Sequence, residues 1–340
     1  MKIQRFAKGL AACLVFLGGS ALATAETINA AGATFPAVIY QKWFQEYHKL
    51  HSDIQINYQS IGSGGGIQQL TAGTVDFGAS DMPMTDAQMA KITRFKVLHF
   101  PTVLGGVVPA YNIEGVNAVL NFTPQTLAGI FLGTISKWDD PALKKDNPGV
   151  KFPSADITVV HRSDGSGTTF VWTDYLSKVS PEWKSKVGSN TSVSWPKGLG
   201  GKGNEGVAGV VKQTPNSIGY VELIFAVQTK MAYGAVKNAA GTFVRADFDS
   251  VSEAAAGAAQ NMPADFRVSI TNAPGKKTYP ISSFTWMLIP NKLDGAKKNI
   301  IQQFLKWALT DGQSYCAGLG FAPLPKAVVA KEEKQIAQIQ

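Results

Sequence analysis

The stretch of sequence that decides the fold is RSDGSGTTF, residues 162–170. It follows the β-branched run ITVV at 157–160, which predicts a short buried strand. The residues after it, 171–179, carry apolar side chains at helical spacing and predict a helix. The stretch is therefore a turn from a strand into a helix, and it supplies glycines, hydroxyls and a guanidinium at the start of that helix.

A turn of this kind favours an anion. A helix N-terminus has unpaired N–H groups and the positive end of the helix dipole. Gly165 and Gly167 let the backbone come close to a ligand, and Arg162 has a fork of donors that suits paired oxygens. The turn alone is equally consistent with a structural role, in which Ser166 or Thr168 caps the helix and Arg162 is a surface charge.

Length and composition describe a globular protein. The chain has 340 residues, of which 45% are hydrophobic and 16% charged, so it is long enough for two domains with a large core. The formal net charge is +8, without a run of Lys and Arg, which does not fit a nucleic-acid partner. A modest positive field does suit the capture of a small anion.

The N-terminus predicts export. Residues 1–25 combine a basic start, a mostly apolar run at 10–22 and the sequence ATA at 23–25, which fits a signal peptide cleaved after Ala25. A lipidated N-terminus at Cys13 is the alternative, but the apolar run before this cysteine is too short. Cleavage leaves Cys316 as the only cysteine, which excludes an intramolecular disulfide. No later stretch is long and apolar enough to span a bilayer.

Two more glycine-containing segments precede predicted helices. AGATFP at 31–36 comes before a helix, and Pro36 suits its first position while Thr34 is close enough to cap it. An ordinary capped helix is the simpler interpretation of Thr34 alone. GSGGG at 62–66 lies between a half-buried strand, 54–59, and a short helix. This tight placement favours a backbone cradle over a flexible linker.

The segment DFGASD, residues 76–81, predicts a strand that ends in Asp81. Open α/β sheets bind their ligands at the carboxyl ends of strands, although Asp81 could equally be a solvated loop acid. Strands alternate with helices, which predicts α/β architecture with a mostly parallel sheet. Two long apolar runs, 100–111 with a break at its Gly-Gly pair and 282–289, are candidates for chain crossings between two lobes.

Six motifs carry a resemblance to a known family. In chain order they are AGATFP (31–36), GSGGG (62–66), DFGASD (76–81), FLGTISKW (131–138), RSDGSGT (162–168) and GLGGKGN (198–204). Together they resemble the periplasmic phosphate-binding proteins of high-affinity, Pst-type phosphate ABC transporters over essentially the whole mature chain. The sequence does not decide whether the GLGGKGN loop lies at the site or elsewhere between the lobes.

The resemblance implies a type II periplasmic binding fold. Its two α/β lobes, each a mixed or mostly parallel sheet flanked by helices, would be joined by a hinge of two crossings. The first lobe would take residues 26–105 and 285–340, and the second lobe residues 106–284. Phosphate would be enclosed between them and delivered to a membrane permease. The resemblance further implies a monomer without cofactor, metal or nucleic-acid partner.

The resemblance also implies a set of site residues. Donors would come from Thr34, Phe35 and Ser63 of the first lobe, and Asp81 would accept the proton of the ligand. The second lobe would contribute Arg162, Ser166, Gly167 and Thr168, with Asp164 positioning Arg162. Many relatives have a second serine where this chain has Gly64, which leaves Ser63 as the hydroxyl donor of this turn.

Two other functions remain as alternatives. One is a receptor for another oxyanion, such as sulfate or molybdate, against which Asp81 argues. The other is a secreted phosphatase or serine hydrolase that uses Ser166. Its surroundings lack the G-x-S-x-G elbow, and no His and Asp residues have metal-ligand spacing. His161 is the histidine nearest in sequence, yet it should point to the strand face opposite Arg162.

Overall fold

The computed structural model describes residues 26–340, so the predicted signal peptide lies outside the described residues. The strands are β1 (Glu26–Gly32), β2 (Ile54–Ser60), β3 (Phe77–Ser80), β4 (Val97–Asn112), β5 (Asn121–Phe122), β6 (Thr158–Arg162), β7 (Leu199–Gly201), β8 (Ser217–Glu222), β9 (Ala232–Tyr233), β10 (Ala235–Lys237), β11 (Phe243–Val244) and β12 (Ser282–Pro290). The helices are α1 (Ala37–Leu50), α2 (Ser63–Ala72), α3 (Asp86–Met89), α4 (Pro124–Leu132), α5 (Pro141–Asp146), α6 (Gly167–Val179), α7 (Pro181–Lys186), α8 (Gly203–Gln213), α9 (Leu223–Gln228), α10 (Phe248–Gln260), α11 (Gly295–Leu309) and α12 (Lys326–Ile336).

The central sheet has two parallel halves joined by antiparallel strands. Its order is β2-β1-β3-β12-β4-β8-β6-β7, and β9 also pairs with β4. In the first half β1 runs parallel to β2 and β3, and in the second half β6 runs parallel to β7 and β8. Strand β12 is antiparallel to both β3 and β4, and β4 is antiparallel to β8. The α/β architecture expected from alternating strands and helices is confirmed.

Strand β4 belongs to both halves of the sheet. Up to Gly106 it pairs with β12, and from Val107 onward it pairs with β8. The expected break at the Gly-Gly pair is wrong, because the strand continues through both glycines. Gly105 is required by close packing, because a Cβ there would overlap the ring of Phe35.

Each half has its own aromatic core. In the first, α1 presents the predicted apolar stripe to the sheet, and the indole N–H of Trp43 donates to the carbonyl of Gly312 at 2.7 Å. In the second, the rings of Trp172 and Tyr220 stack with centroids 5.2 Å apart, which packs α6 onto β8. None of the helices within residues 26–340 has the length and apolar character needed to cross a membrane.

Candidate functional site

The predicted site residues converge where the two halves of the sheet face each other. Three contacts join the halves there. Gly64 donates its N–H to the carbonyl of Gly165 at 2.9 Å, and Asn204 donates to Thr34. At the third, Gly167 packs so closely on Ser63 and Asp81 that a Cβ would overlap both side chains. The segments from the two halves therefore form one enclosed site.

The guanidinium of Arg162 lies at the carboxyl end of β6 and is almost fully buried. Its Nε and Nη2 donate to the two carboxylate oxygens of Asp164 at 2.8 and 2.6 Å. Asp164 also accepts a hydrogen bond from the backbone of Gly203 at 3.1 Å. Partial burial raises the pKa of Asp164, but hydrogen bonds and charge from Arg162 outweigh it and leave that pKa below its usual value. These hydrogen bonds fix the orientation of the guanidinium relative to Asp164.

The N-terminus of α6 presents backbone donors next to Arg162. Ser166 precedes the helix, and its Oγ accepts the N–H of Thr169 at 3.0 Å. The capping role considered for Ser166 is thus real. Gly167 and Thr168 are the first two residues of α6, so their N–H groups have no carbonyl acceptor within the helix. These N–H groups can therefore donate to a ligand. Nη1 of Arg162 is 3.4 Å from Oγ1 of Thr168, so the guanidinium and the N-terminus of α6 lie close enough to bind the same small anion.

Asp81 is the acid in this site, immediately after β3, and is only 1% exposed. Its Oδ1 accepts a hydrogen bond from Thr285 at 2.7 Å, and its backbone N–H donates to Ser63 Oγ at 3.1 Å. Its Oδ2 has no partner within residues 26–340 and faces Gly167. Burial raises the pKa of Asp81 to about 7, although Thr285, Arg162 and Ser63 each oppose the shift. The solvated loop acid is therefore excluded, and an unpaired acceptor remains in the site.

Asn204 connects the hydroxyls of the two halves. Its Nδ2 donates to Oγ1 of Thr34 at 2.8 Å and to Oγ1 of Thr168 at 3.1 Å. Its Oδ1 accepts the backbone N–H of Glu222 at 2.9 Å, which fixes the amide orientation. Both threonine oxygens act as acceptors here, so their hydroxyl hydrogens are free to donate to an anion. Ser63 is in the same state, since its oxygen accepts from Asp81.

Two local expectations were wrong. Thr34 does not cap α1: Pro36 precedes the helix without a side-chain cap, and the threonine hydroxyl bonds Asn204 instead. The glycine run at 63–66 is not a loop before a helix but the first turn of α2. Gly64 lies there because a Cβ would meet the backbone of Gly165 at 3.0 Å. The ring of Phe35 is fully buried and packs against Gly105 of β4.

Ser166 accepts a hydrogen bond from Thr169, and His161, the histidine nearest to it in sequence, contacts other groups. His161 stacks on Trp195 with ring centroids 4.8 Å apart, and its Nδ1 lies 3.0 Å from the carbonyl oxygen of Arg162. Within residues 26–340, no group of His, Cys, Asp and Glu side chains is arranged to hold a metal ion. The groups around Ser166 are thus hydrogen-bond donors that surround the unpaired carboxylate oxygen of Asp81.

Sequence reasoning missed two residues of the site. Asn204 lies in the first turn of α8, at the end of the glycine-rich segment 198–204, and nothing in the sequence of that segment singles out its last residue. Thr285 is a single hydroxyl inside the apolar run 282–289, where a buried strand is the natural interpretation. Both act through contacts with residues more than 160 positions away in the chain.

The buried acid predicts a pH dependence of stability. A carboxyl whose pKa rises on folding stabilises the folded state below its unfolded pKa, and this contribution is lost as pH rises through the folded pKa. Between about pH 4 and 7, the ligand-free parent should therefore lose stability relative to Asp81→Asn, by at most about 4 kcal/mol. Urea unfolding of both proteins at pH 4, 5.5 and 8 measures the difference.

Two other buried acids, Glu222 and Glu332, also titrate abnormally in the parent and in the variant. Burial also raises the pKa of Glu222 and of Glu332 well above the usual value. The titration of Glu332 is the same in the parent and in the Asp81→Asn protein and cancels in the difference, whereas the charge of Asp81 adds to the raised pKa of Glu222, so the measured difference includes the coupling between Asp81 and Glu222. Parallel stability profiles for the parent and the variant would contradict the predicted titration of Asp81.

Comparison with known proteins places the chain in a class and then in a family. Residues 19–312 match the PBP superfamily domain. The chain is 46% identical to the phosphate-binding protein PstS of Xylella fastidiosa strain Temecula1 over 308 residues, which cover 90% of this chain and 84% of that protein. It is 44% identical to the PstS of Haemophilus influenzae, covering 94% of this chain and 95% of that one. The chain therefore belongs to the PstS family of phosphate-binding proteins, within the PBP superfamily.

A solved structure supports the same fold. The high affinity periplasmic phosphate-binding protein PfluDING, bound with phosphate, superposes with a TM-score of 0.72 at 21% identity, over 91% of this chain and 93% of that one. At this identity the likeness shows the fold alone. The predicted two-lobed periplasmic binding fold is confirmed, and so is the resemblance from which it was expected.

Proposed function

We propose that this protein binds inorganic phosphate in the enclosed site and delivers it to the membrane permease of a phosphate ABC transporter. The observation that carries the proposal is the buried, unpaired Oδ2 of Asp81, which faces the donors around Arg162 and the N-terminus of α6. A site of donors selects an anion, and one acceptor among them requires an anion that still carries a proton. HPO₄²⁻ meets both conditions.

Each proposed ligand-binding residue contributes a charge, a hydrogen-bond donor or a hydrogen-bond acceptor. Arg162 supplies the positive charge and is held by Asp164. Backbone N–H groups come from Phe35, Gly167 and Thr168, and hydroxyl donors from Thr34, Ser63, Ser166 and Thr168. Asp81 accepts the proton of the ligand. The PstS relatives support phosphate as the ligand, since they are phosphate-binding proteins.

We further propose that the chain divides into lobes of residues 26–105 with 285–340, and 106–284. In support, β4 exchanges one partner strand for another between Gly106 and Val107. Because the proposed ligand groups lie on both lobes, neither half of the site is complete alone, and phosphate should favour the closed arrangement. Small-angle X-ray scattering should give a smaller radius of gyration with phosphate than without it. An unchanged profile with bound phosphate would contradict enclosure by both lobes.

We also propose where the protein acts and in what form. The chain is exported to the periplasm by residues 1–25, cleaved after Ala25, and acts there as a monomer without catalysis. The phosphatase alternative finds no support in the geometry, because His161 contacts Trp195 and the Arg162 carbonyl rather than Ser166.

A pair of calorimetric titrations tests the function. Phosphate should bind tightly to phosphate-free protein at pH 8, whereas sulfate and molybdate should show much weaker binding or none. Incubation with a phosphate monoester should release no phosphate. Sulfate or molybdate that binds as well as phosphate would favour the other oxyanion receptors. Turnover of the ester would instead favour the phosphatase.

A further inference from the structure

A buried threonine on β12 contacts the acid of the site from behind. Thr285 is fully buried, and its Oγ1 donates to Oδ1 of Asp81 at 2.7 Å. Thr285 lies on β12 and Asp81 directly follows the neighbouring strand β3, since Trp286 pairs with Ser80 in the antiparallel β12–β3 ladder. One carboxylate oxygen is thus occupied by the protein, and the other faces the donors of the opposite lobe.

An irregularity in the sheet lies at this threonine. Thr285 pairs with Val103 and Trp286 with Pro101, so Thr102 is an extra residue on β4 without a partner on β12. Bulges of this kind redirect nearby side chains and occur often beside functional sites. The hydroxyl of Thr102 donates to the backbone carbonyl of Thr285 at 3.2 Å and lies 2.7 Å from the hydroxyl of Tyr40. The backbone that carries Thr285 is therefore fixed at the point where its side chain meets Asp81.

We propose that Thr285 is a positioning residue that sets the choice among oxyanions, by holding Asp81 as an ionised acceptor with only Oδ2 open to the ligand. The inference rests on the proposed phosphate-binding function and adds a residue to it. A hydroxyl that donates to a carboxylate favours the charged form of the acid. The charged form accepts the proton of HPO₄²⁻ and repels sulfate, which has no proton to give.

Removal of this hydroxyl should shift the acid towards its neutral form. Burial already raises the pKa of Asp81 to about 7, and the Thr285 hydrogen bond is one of the contacts that oppose the rise. A neutral Asp81 carries an O–H that can donate to sulfate. Loss of the threonine hydroxyl should therefore let sulfate compete at a pH where the parent excludes it.

Other ionisable groups near Asp81 do not explain such a change. They are Arg162 on β6, Tyr40 on α1, Tyr58 on β2 and Glu222 on β8. Burial raises the pKa of both tyrosines far above the range of the experiment. Glu222 and Arg162 are the same in the parent and in a Thr285 variant, so their contribution cancels in the comparison.

The test compares Thr285→Val with Thr285→Ser and with the parent. Competition of sulfate against phosphate is measured by calorimetry between pH 6 and 9. The valine variant should lower the preference for phosphate at pH 8 by about tenfold or more, equivalent to at least about one unit of pKa shift in Asp81. The serine variant, which keeps the hydroxyl, should behave like the parent. Ser282→Ala is the matched control, because it removes a buried hydroxyl from β12 that bonds only the Tyr279 carbonyl.

Several outcomes decide against the proposal. The proposal is overturned if the valine variant keeps the parental preference for phosphate over sulfate at every pH. It is also overturned if the serine variant or Ser282→Ala loses as much of this preference as the valine variant does. If valine prevents folding, Thr285→Ala, which adds no atom, takes its place. A carbon-13 NMR titration of the Asp81 carboxyl in ligand-free protein tests the positioning role without phosphate. It should show a higher pKa in the valine variant, so failure of the proposed function is distinguishable from failure of this inference.

Discussion

Arg162→Ala is expected to weaken phosphate binding by at least about 30-fold. In the enclosed site the anion loses a charged hydrogen-bonding partner, and such bonds contribute about 1.5–3 kcal/mol each. The variant also leaves Asp164 next to the anion without its counter-charge, since both carboxylate oxygens are paired with the guanidinium in the parent. This uncompensated carboxylate adds to the loss, which can reach about 5 kcal/mol in total.

Three further variants show which property of Arg162 the phosphate affinity depends on. Arg162→Lys should restore only part of the affinity, because an ammonium cannot bond both Asp164 and the ligand with the geometry of a planar fork. Asp164→Asn should weaken binding less than Arg162→Ala, since the guanidinium itself remains. Arg94→Ala, an arginine that bonds the carbonyls of Thr71 and Ala72 outside the site, should bind like the parent. Isothermal titration calorimetry measures all four, and parental affinity in Arg162→Ala would rule out the assigned role.

Asp81→Asn is expected to admit sulfate. A carboxylate that faces a dianion is repulsive, and the repulsion is strong in a buried site. Phosphate avoids this repulsion because HPO₄²⁻ still carries one proton near neutral pH, which Asp81 can accept. A phosphate ester, by comparison, loses its second proton at about pH 6. Sulfate has a similar size and charge but no proton, so its oxygens meet the lone pairs of Oδ2 directly. The amide of asparagine presents an N–H donor at the same place.

The expected change is therefore one of selectivity more than of phosphate affinity. The affinity of Asp81→Asn for sulfate should be at least about tenfold higher than that of the parent at pH 8, roughly the effect of one recovered hydrogen bond. Phosphate should remain bound, because an amide can donate or accept. Asp76→Asn provides the control, since this aspartate lies just before β3 and bonds Asn29 and Lys297 away from the site. If Asp81→Asn excludes sulfate as firmly as the parent at pH 8, selectivity resides elsewhere.

The residues found from sequence share one property, which is that their role follows from their local surroundings. Arg162, Ser166 and Gly167 lie in a strand-to-helix turn, and the structure places β6 and α6 on either side of it. Asp81 follows a strand that the pattern predicted, and it is buried there. Turn chemistry and the alternation of strands and helices are encoded over about ten residues, so these elements could be predicted.

The residues that escaped prediction depend on distant contacts. The importance of Asn204 comes from Thr34 and that of Thr285 from Asp81, and neither pair is close in sequence. The continuity of β4 was missed for a related reason: a Gly-Gly pair suggests a break, whereas here Gly105 makes room for the ring of Phe35. The resemblance to the phosphate-binding family supplied the remaining site residues, which local patterns left open.

The strand that runs through both halves of the sheet also limits how the chain can be divided. Residues 97–106 of β4 complete the ladder of β12, and residues 107–112 complete the ladder of β8. A gene fragment that encodes one half alone would either lack its share of this strand or carry a protruding, unpaired segment, and exposed strand edges promote aggregation. We expect neither half to be obtained as an autonomous domain, so duplication, shuffling or split-protein designs would have to keep both halves on one uninterrupted β4.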